Sequence, residues 1–162
     1  MIDIAELRVG LGIDVHPMSP DPMRPLVLGG VVFAAEPGLA GHSDADVVSH
    51  ALADALLGAA GLGDLGEHFP ETEATWRDAD STGLLKEVVR RLAEAGWAPV
   101  NADCTVVLER PRLAPHRAAM QERLTEVVGA PVSVKATTAE ALGALGRGEG
   151  IACMAVAMVS RP

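Results

Sequence analysis

The stretch from Asp46 to Leu62 constrains this chain more than any other. Within it Val48, Leu52, Ala55, Ala59 and Leu62 recur at spacings of 4, 3, 4 and 3. On a helix of 3.6 residues per turn that spacing makes one apolar face. Asp46, His50 and Asp54 fall at i, i+4 and i+8, so they stack along a single stripe beside that face. Three ionisable groups in line on an otherwise apolar helix place it at the wall of a cleft. Ser43 or Asp44 is the expected N-cap, and Gly61, Gly63 and Gly66 end the helix.

The rest of the chain supplies a sheet for such a helix. Leu7 to Val15 has strand character, with Gly10 and Gly12 at positions where another backbone can approach closely. A loop with Pro17, Pro20 and Pro22 follows. Leu26 to Phe33 reads as a second strand broken by Gly29-Gly30, expected to pair with the first across that long connection. Asp80-Ser81 caps a second helix with Leu84, Leu85, Val88, Val89 and Leu92 inside; Lys86, Glu87, Arg90, Arg91 and Glu94 form its solvated face, and Gly96 stops it. Val100 to Glu109 alternates, placing Ala102, Cys104, Val106 and Leu108 on one side. A loop with Pro111 and Pro115 leads to a third helix ending near Val128, then a strand from Val132 to Thr137. Ala139 to Gly143 is expected to form a short helical turn, and Gly146 to Gly150 a tight turn into a last strand to Val159. The order β-β-α-α-β-α-β-β predicts one α/β domain over residues 1–162, its sheet covered by helices.

Composition narrows the function. The chain has 162 residues and a formal charge of −9, from 13 basic and 22 acidic side chains. Two Trp, two Phe and no Tyr leave few platforms for stacking on unpaired bases, and the acidic balance opposes phosphate-backbone binding. Nucleic acid is therefore excluded as a partner, whereas a small phosphorylated substrate remains compatible if cations offset the field. The longest apolar run, Ile151 to Val159, is far too short to span a bilayer, and the N-terminal segment carries Asp3 and Glu6 rather than a basic leader. Cys104 and Cys153 lie in apolar segments and are expected to be buried free thiols, so the expected compartment is the cytoplasm.

Two clusters carry chemistry. Asp14 and His16 are two apart on a strand, hence on one face. If the polar stripe of the first helix faces them, Asp14, His16 and His50 close on one ion and leave a tetrahedral position open, as catalytic zinc sites do. Asp46 and Asp54 would then support the ligating imidazoles. His42, just before the helix, reaches a ligand near the helix N-terminus, while Asp64 and the loop near Glu71 face ligand hydroxyls. The second cluster is Lys135-Ala136-Thr137-Thr138-Ala139-Glu140, with Arg147 nearby. Its hydroxyls and backbone N–H groups suit phosphate oxygens, Lys135 and Arg147 add positive charge, and Glu140 suits a hard divalent ion bridging phosphates. The same groups fit a zinc hydrolase with a metal-bound water, or a binding module that has lost its chemistry.

Taken together, Gly12-Ile-Asp-Val-His16, His42-Ser-Asp-Ala-Asp-Val-Val-Ser-His50-Ala-Leu-Ala-Asp54, Gly63-Asp-Leu-Gly66, Phe69-Pro70, Pro111 to His116, Lys135-Ala-Thr-Thr138 and Gly146-Arg-Gly-Glu-Gly-Ile151 resemble the 2-C-methyl-D-erythritol 2,4-cyclodiphosphate synthase family. The resemblance covers nearly the whole chain. It implies a homotrimer with active sites between subunits, in the non-mevalonate isoprenoid pathway, cyclising 4-diphosphocytidyl-2-C-methyl-D-erythritol 2-phosphate with release of CMP. It implies Zn2+, or another divalent ion, at Asp14, His16 and His50, and Mg2+ or Mn2+ at Glu140. By the same resemblance His42 and Thr138 steady the transition state, and Asp64 binds the erythritol hydroxyls. Val15, Ser43, Leu65, Gly66, Phe69 and Glu71 are expected around the substrate on that side. Arg112, Leu113 and Ala114, with Lys135 to Ala139, Ala144 and Arg147, are expected on the cytidine and phosphate side. Glu71 departs from the Asp usual after Phe-Pro, Ala144 from an aromatic, and Ala45 from a Gly.

Overall fold

The computed structural model describes residues 6–70, 72 and 79–161. In chain order the elements are β1 (Leu7–Pro17), β2 (Pro25–Leu28), β3 (Val31–Pro37), α1 (Val47–Ala60), α2 (Leu65–His68), α3 (Ser81–Glu94), β4 (Ala98–Val107), α4 (Arg117–Val128), β5 (Val132–Thr137), α5 (Gly143–Gly146) and β6 (Gly150–Ser160). The main sheet has the order β1-β6-β4-β5. β6 runs antiparallel to both neighbours, and β5 lies parallel to β4 after a crossover through α4. This is a single α/β domain with a mixed four-stranded sheet.

Period-two alternation decides what each face does. Ile151, Cys153, Ala155, Ala157 and Val159 of β6 and Ala102, Cys104 and Val106 of β4 are buried beneath the helices. On the opposite face Val9, Leu11, Ile13 and Val15 are about 60% exposed, beside exposed Met154 and Val156. α1 lies over the inward face of β1. A Cβ at Gly10 would stand 2.0 Å from the Ala55 carbonyl oxygen, and one at Gly12 2.0 Å from that of Ala51, so only glycine lets helix and strand touch this closely.

Four local expectations need correction. The broken strand does not pair with the first: Leu26 to Phe33 folds on itself as the β2–β3 hairpin, with Gly29 and Gly30 in the left-handed turn, while β1 pairs with β6 along its whole length. The N-cap of α1 is Asp46, not Ser43 or Asp44. Its carboxylate takes the N–H groups of Val48 and Ser49 and also those of Gly29 (2.8 Å) and Gly30 (2.7 Å), so one buried side chain caps the helix and docks the hairpin. α1 is buried on nearly all sides rather than along one face, because sheet and α3 enclose it. Residues 139–143 form a turn with Glu140 and Ala141 in the left-handed region, and the short helix begins at Gly143.

Other expectations hold. Asp80 caps α3, whose Leu84, Leu85, Val88 and Leu92 are buried. Cys104 and Cys153 are free and buried. Contact with the Cys104 thiol, then burial, pushes the Cys153 thiol up. Among the described residues no helix is long and apolar enough to cross a membrane.

Candidate metal centre and its cleft

β1 is an edge strand, and its inward face ends in Asp14 and His16. α1 brings His50 over them from its first turn. His16 Nε2 and His50 Nδ1 each stand 3.0 Å from Asp14 Oδ2, and 3.3 Å from each other. Among the described residues this is the one group whose carboxylate and imidazole atoms converge closely enough to share an ion. His16 Nδ1 donates to the Ala40 carbonyl at 2.8 Å, which leaves Nε2 as the lone-pair nitrogen. The other His50 nitrogen meets Ser81 Oγ at 2.8 Å and Ser43 Oγ at 3.1 Å. Two imidazole lone pairs facing each other beside a carboxylate repel unless a cation lies between them, so the donor set fits a divalent ion of zinc type with ligand positions left open.

The charge balance agrees. Burial alone would raise the Asp14 carboxyl, but the adjoining His16 and His50 imidazoles outweigh it and hold the group well below the usual carboxylate range. Burial opposes charge on His16, yet the Asp14 carboxylate raises that imidazole above its ordinary value. A proton on His16 stands where an ion would otherwise neutralise the carboxylate. A Cβ on Gly41 would lie 3.0 Å from the His16 ring, so the backbone there cradles the ligand.

The three ligands open into a cleft of about 240 Å³ lined also by His42, Ser43, Leu65, Gly66, Phe69 and Leu84. His42 Nε2 is buried there without a hydrogen-bond partner. Asp64 caps α2 through the Glu67 N–H and faces an adjoining hollow with Asp14, His50 and Asp54. The Arg91 guanidinium lies 4.9 Å over the Phe69 ring and so backs that wall. Asp46 and Asp54 do not support the imidazoles as expected. Asp46 is engaged with the hairpin, and Asp54 accepts the Leu65 N–H at 3.1 Å, which fixes the 64–66 segment instead. Burial raises the Asp46 carboxyl despite the hydrogen bonds it receives. The Val15 side chain lies on the opposite face of β1, so only its backbone borders the site. Glu71 lies outside the described residues.

The second cluster does not line this cleft. Ala136, Thr137, Thr138, Glu140 and Ala144 are exposed, and Ala139 donates its N–H to Glu109. Thr138 Oγ1 donates to Glu140 Oε1 at 2.7 Å. Leu113 is buried, whereas Arg112 and Ala114 are exposed. Lys135 pairs with Asp103, and Arg147 with Glu149 at 2.5 Å. Arg147 and Pro111 line a separate groove of about 460 Å³.

No role at the site was read from the sequence for Asp44, Ser81 or Gly41. Ser81 and Asp44 both read as helix caps, and only the tertiary fold brings them to His50.

Comparison with known proteins places these features together. The model of the YgbB family matches residues 7–160. The chain is 54% identical over 156 residues to the 2-C-methyl-D-erythritol 2,4-cyclodiphosphate synthase of Salinibacter ruber, covering 94% of this chain and 98% of that protein. It is 56% identical over 157 residues to the synthase of the same name from Symbiobacterium thermophilum, covering 95% and 99%. The structure of IspF from Plasmodium falciparum in complex with CDP superposes with a TM-score of 0.83 at 27% identity, covering 98% of this chain and 99% of that one.

Proposed function

The chain belongs to the YgbB family of 2-C-methyl-D-erythritol 2,4-cyclodiphosphate synthases, and from that membership we propose how its own residues carry the reaction. It converts 4-diphosphocytidyl-2-C-methyl-D-erythritol 2-phosphate to 2-C-methyl-D-erythritol 2,4-cyclodiphosphate and CMP. A 2-phosphate oxygen bonds to the β-phosphorus, the bridge to the α-phosphorus breaks, and CMP leaves with the bridging oxygen. The nucleophile is already an anion, so no protein base has to create it. The barrier is mainly that of bringing like charges into line.

The convergence of Asp14, His16 and His50 at one end of the cleft is the observation that carries the assignment of roles. They would hold a divalent ion, zinc by donor type, and it would supply positive charge against the phosphate oxygens. His42 lines the same cleft with Nε2 unpaired, so it is available to a phosphate oxygen. Asp64 meets the erythritol hydroxyls, and the backbone at Val15, Leu65 and Gly66 with the Ser43 and Phe69 side chains borders the substrate. Glu71, which follows Phe69-Pro70 in the sequence, is proposed as a further substrate contact. Glu140 offers one exposed carboxylate, which suits Mg2+ or Mn2+ only if diphosphate oxygens complete the shell. The Thr138 hydroxyl, which donates to Glu140, would be free to meet a phosphate oxygen were that carboxylate engaged by an ion. Residues 112–114 and 135–139, with Ala144 and Arg147, form the cytidine and phosphate side.

In one chain these two sides do not meet, and the outer face of β1 and β6 is apolar and open. Both facts support a homotrimer in which one copy's metal centre faces its neighbour's Thr138 and Glu140. The compartment proposed is the cytoplasm, on the two unpaired thiols. Phosphorus NMR of the purified protein with substrate, zinc and magnesium tests the activity. A cyclic diphosphate with one equivalent of CMP is expected, and release of inorganic phosphate instead would point to a hydrolase.

A further inference from the structure

His50 offers Nδ1 to the metal centre, and its other nitrogen has a chain of partners of its own. Nε2 lies 2.8 Å from Ser81 Oγ. The Ser81 hydroxyl in turn donates to Asp44 Oδ1, and the Ser81 N–H donates to Asp44 Oδ2 at 3.1 Å. An aspartate carboxylate can only accept, so the single hydroxyl proton of Ser81 is engaged with Asp44. Ser81 Oγ then has only lone pairs for His50, and Nε2 must carry the ring proton. Nδ1 is left unprotonated, facing Asp14 and His16.

Ser43 does not compete for that role. Its Oγ receives the Ala45 N–H at 3.1 Å and lies 3.3 Å from Ser81 Oγ, with no carboxylate partner to set its proton. Asp44 also joins two segments that share no element. Its N–H donates to the Ala79 carbonyl at 3.2 Å, and its Oδ1 accepts the Asp46 N–H at 3.1 Å. The carboxylate thus ties the loop before α1 to the start of α3, with His50 between them.

We propose that Asp44 and Ser81 form a relay to His50 that fixes the tautomer and tilt of its ring and so sets the affinity of the metal centre. Both are positioning residues, since neither reaches the ion. The proposal rests on the metal reading of Asp14, His16 and His50 given above. A partner behind a ligating imidazole typically changes metal affinity roughly 10–100-fold.

The test uses the full chain with zinc as the probe. Affinity is read by competition with a chromophoric chelator, and the tautomer by nitrogen-15 NMR of the imidazoles. Ser81→Ala leaves the cap of α3 intact, because Asp80 holds the Thr82 N–H and hydroxyl. It is expected to weaken zinc roughly 10–100-fold and to remove the slowly exchanging Nε2 proton of His50. Asp44→Asn is expected to act in the same direction, and it carries the test if Ser81→Ala does not fold. His50→Ala separates the two levels of the argument. If it keeps the parent's zinc affinity, the metal reading itself fails. If it loses zinc while Ser81→Ala and Asp44→Asn stay within twofold of the parent with an unchanged tautomer, the relay is refuted.

Discussion

Gly12→Ala should damage the metal centre without touching a ligand. Gly12 precedes Asp14 by two residues on the inward face of β1. An added Cβ would stand 2.0 Å from the Ala51 carbonyl oxygen and 2.6 Å from the Ala55 nitrogen. Both are backbone atoms of α1, so no change of rotamer relieves the contact. Ordinary contact begins at 3.4 Å, which means the helix must retreat by more than an ångström at this point. His50 directly precedes Ala51 and moves with it, opening the 3.0 Å approach to Asp14. Metal–ligand distances tolerate only about 0.2 Å, so zinc affinity should fall at least tenfold. Overpacking of this kind costs roughly 1–3 kcal/mol, a loss of about 5 °C in Tm for a chain of this size. Calorimetry of the metal-free protein and a zinc titration measure the two effects separately. Gly83→Ala, at an exposed α3 position with nothing within 4 Å of its Cβ, is the control and should stabilise by about 0.5–1 kcal/mol. If Gly12→Ala lowers Tm but binds zinc like the parent, helix spacing does not govern the metal centre.

Three further outcomes follow from the same contacts. Asp46→Ala leaves the N–H groups of Gly29, Gly30, Val48 and Ser49 and the Ser49 hydroxyl without their acceptor, so urea unfolding should show a loss of roughly 3 kcal/mol or more; a loss under about 1 kcal/mol would mean water replaces the carboxylate. If the proposed trimer forms through the open apolar face, Ile13→Glu puts a carboxylate there and should shift sedimentation to the monomer, whereas sedimentation unchanged from the parent would place any interface elsewhere. In the metal-free protein the Asp14–His16 pair has opposite limits of pH. The contribution of His16, whose imidazole is raised, is full below its ordinary 6.5 and lost as pH rises through the folded value. That of Asp14, whose carboxyl is lowered, is full above 3.8 and lost as pH falls towards the folded value. The Tm gap between the parent and His16→Ala should therefore be widest between about pH 4 and 6.5 and narrow as the pH rises further; a gap independent of pH would show that the ion pair contributes nothing.

The parts of the fold set by local periodicity were legible in the sequence. The alternation of β4, the apolar interior of α3 and the placement of β5 and β6 all agree with the structure. Strand pairing was not legible, because a strand carries no local record of its partner. β1 meets the far end of the chain, and the Gly29-Gly30 break that resembled an interruption is a hairpin turn held by a distant carboxylate. The convergence of Asp14, His16 and His50 was readable because two spacings, two on a strand and four on a helix, put the right chemistry on facing surfaces. The residues behind them were misassigned for the same reason that the cap was. Asp46 and Asp54 share the stripe of His50 but turn to backbone N–H groups outside it, and the actual partner, Ser81, comes from another helix.

The electrostatics of the site then follow from where the cations are already engaged. This acidic chain must hold a substrate carrying a phosphate and a diphosphate. Lys135 and Arg147, the basic groups expected to meet that charge, are each paired with a carboxylate of their own chain. The Thr138 hydroxyl is likewise turned to Glu140. With those groups compensated, the ions proposed at Asp14, His16 and His50 on one side and at Glu140 on the other would supply the charge that draws the two phosphate groups together. The geometry of the Asp14, His16 and His50 cluster is only as good as the three supports of α1: the close approach at Gly10 and Gly12, the Asp46 tie to the hairpin, and the Ser81 contact behind His50. Changes at these supports should therefore appear first as a loss of metal affinity and only afterwards as a loss of substrate binding, the reverse of what a change in the exposed 136–140 segment should produce.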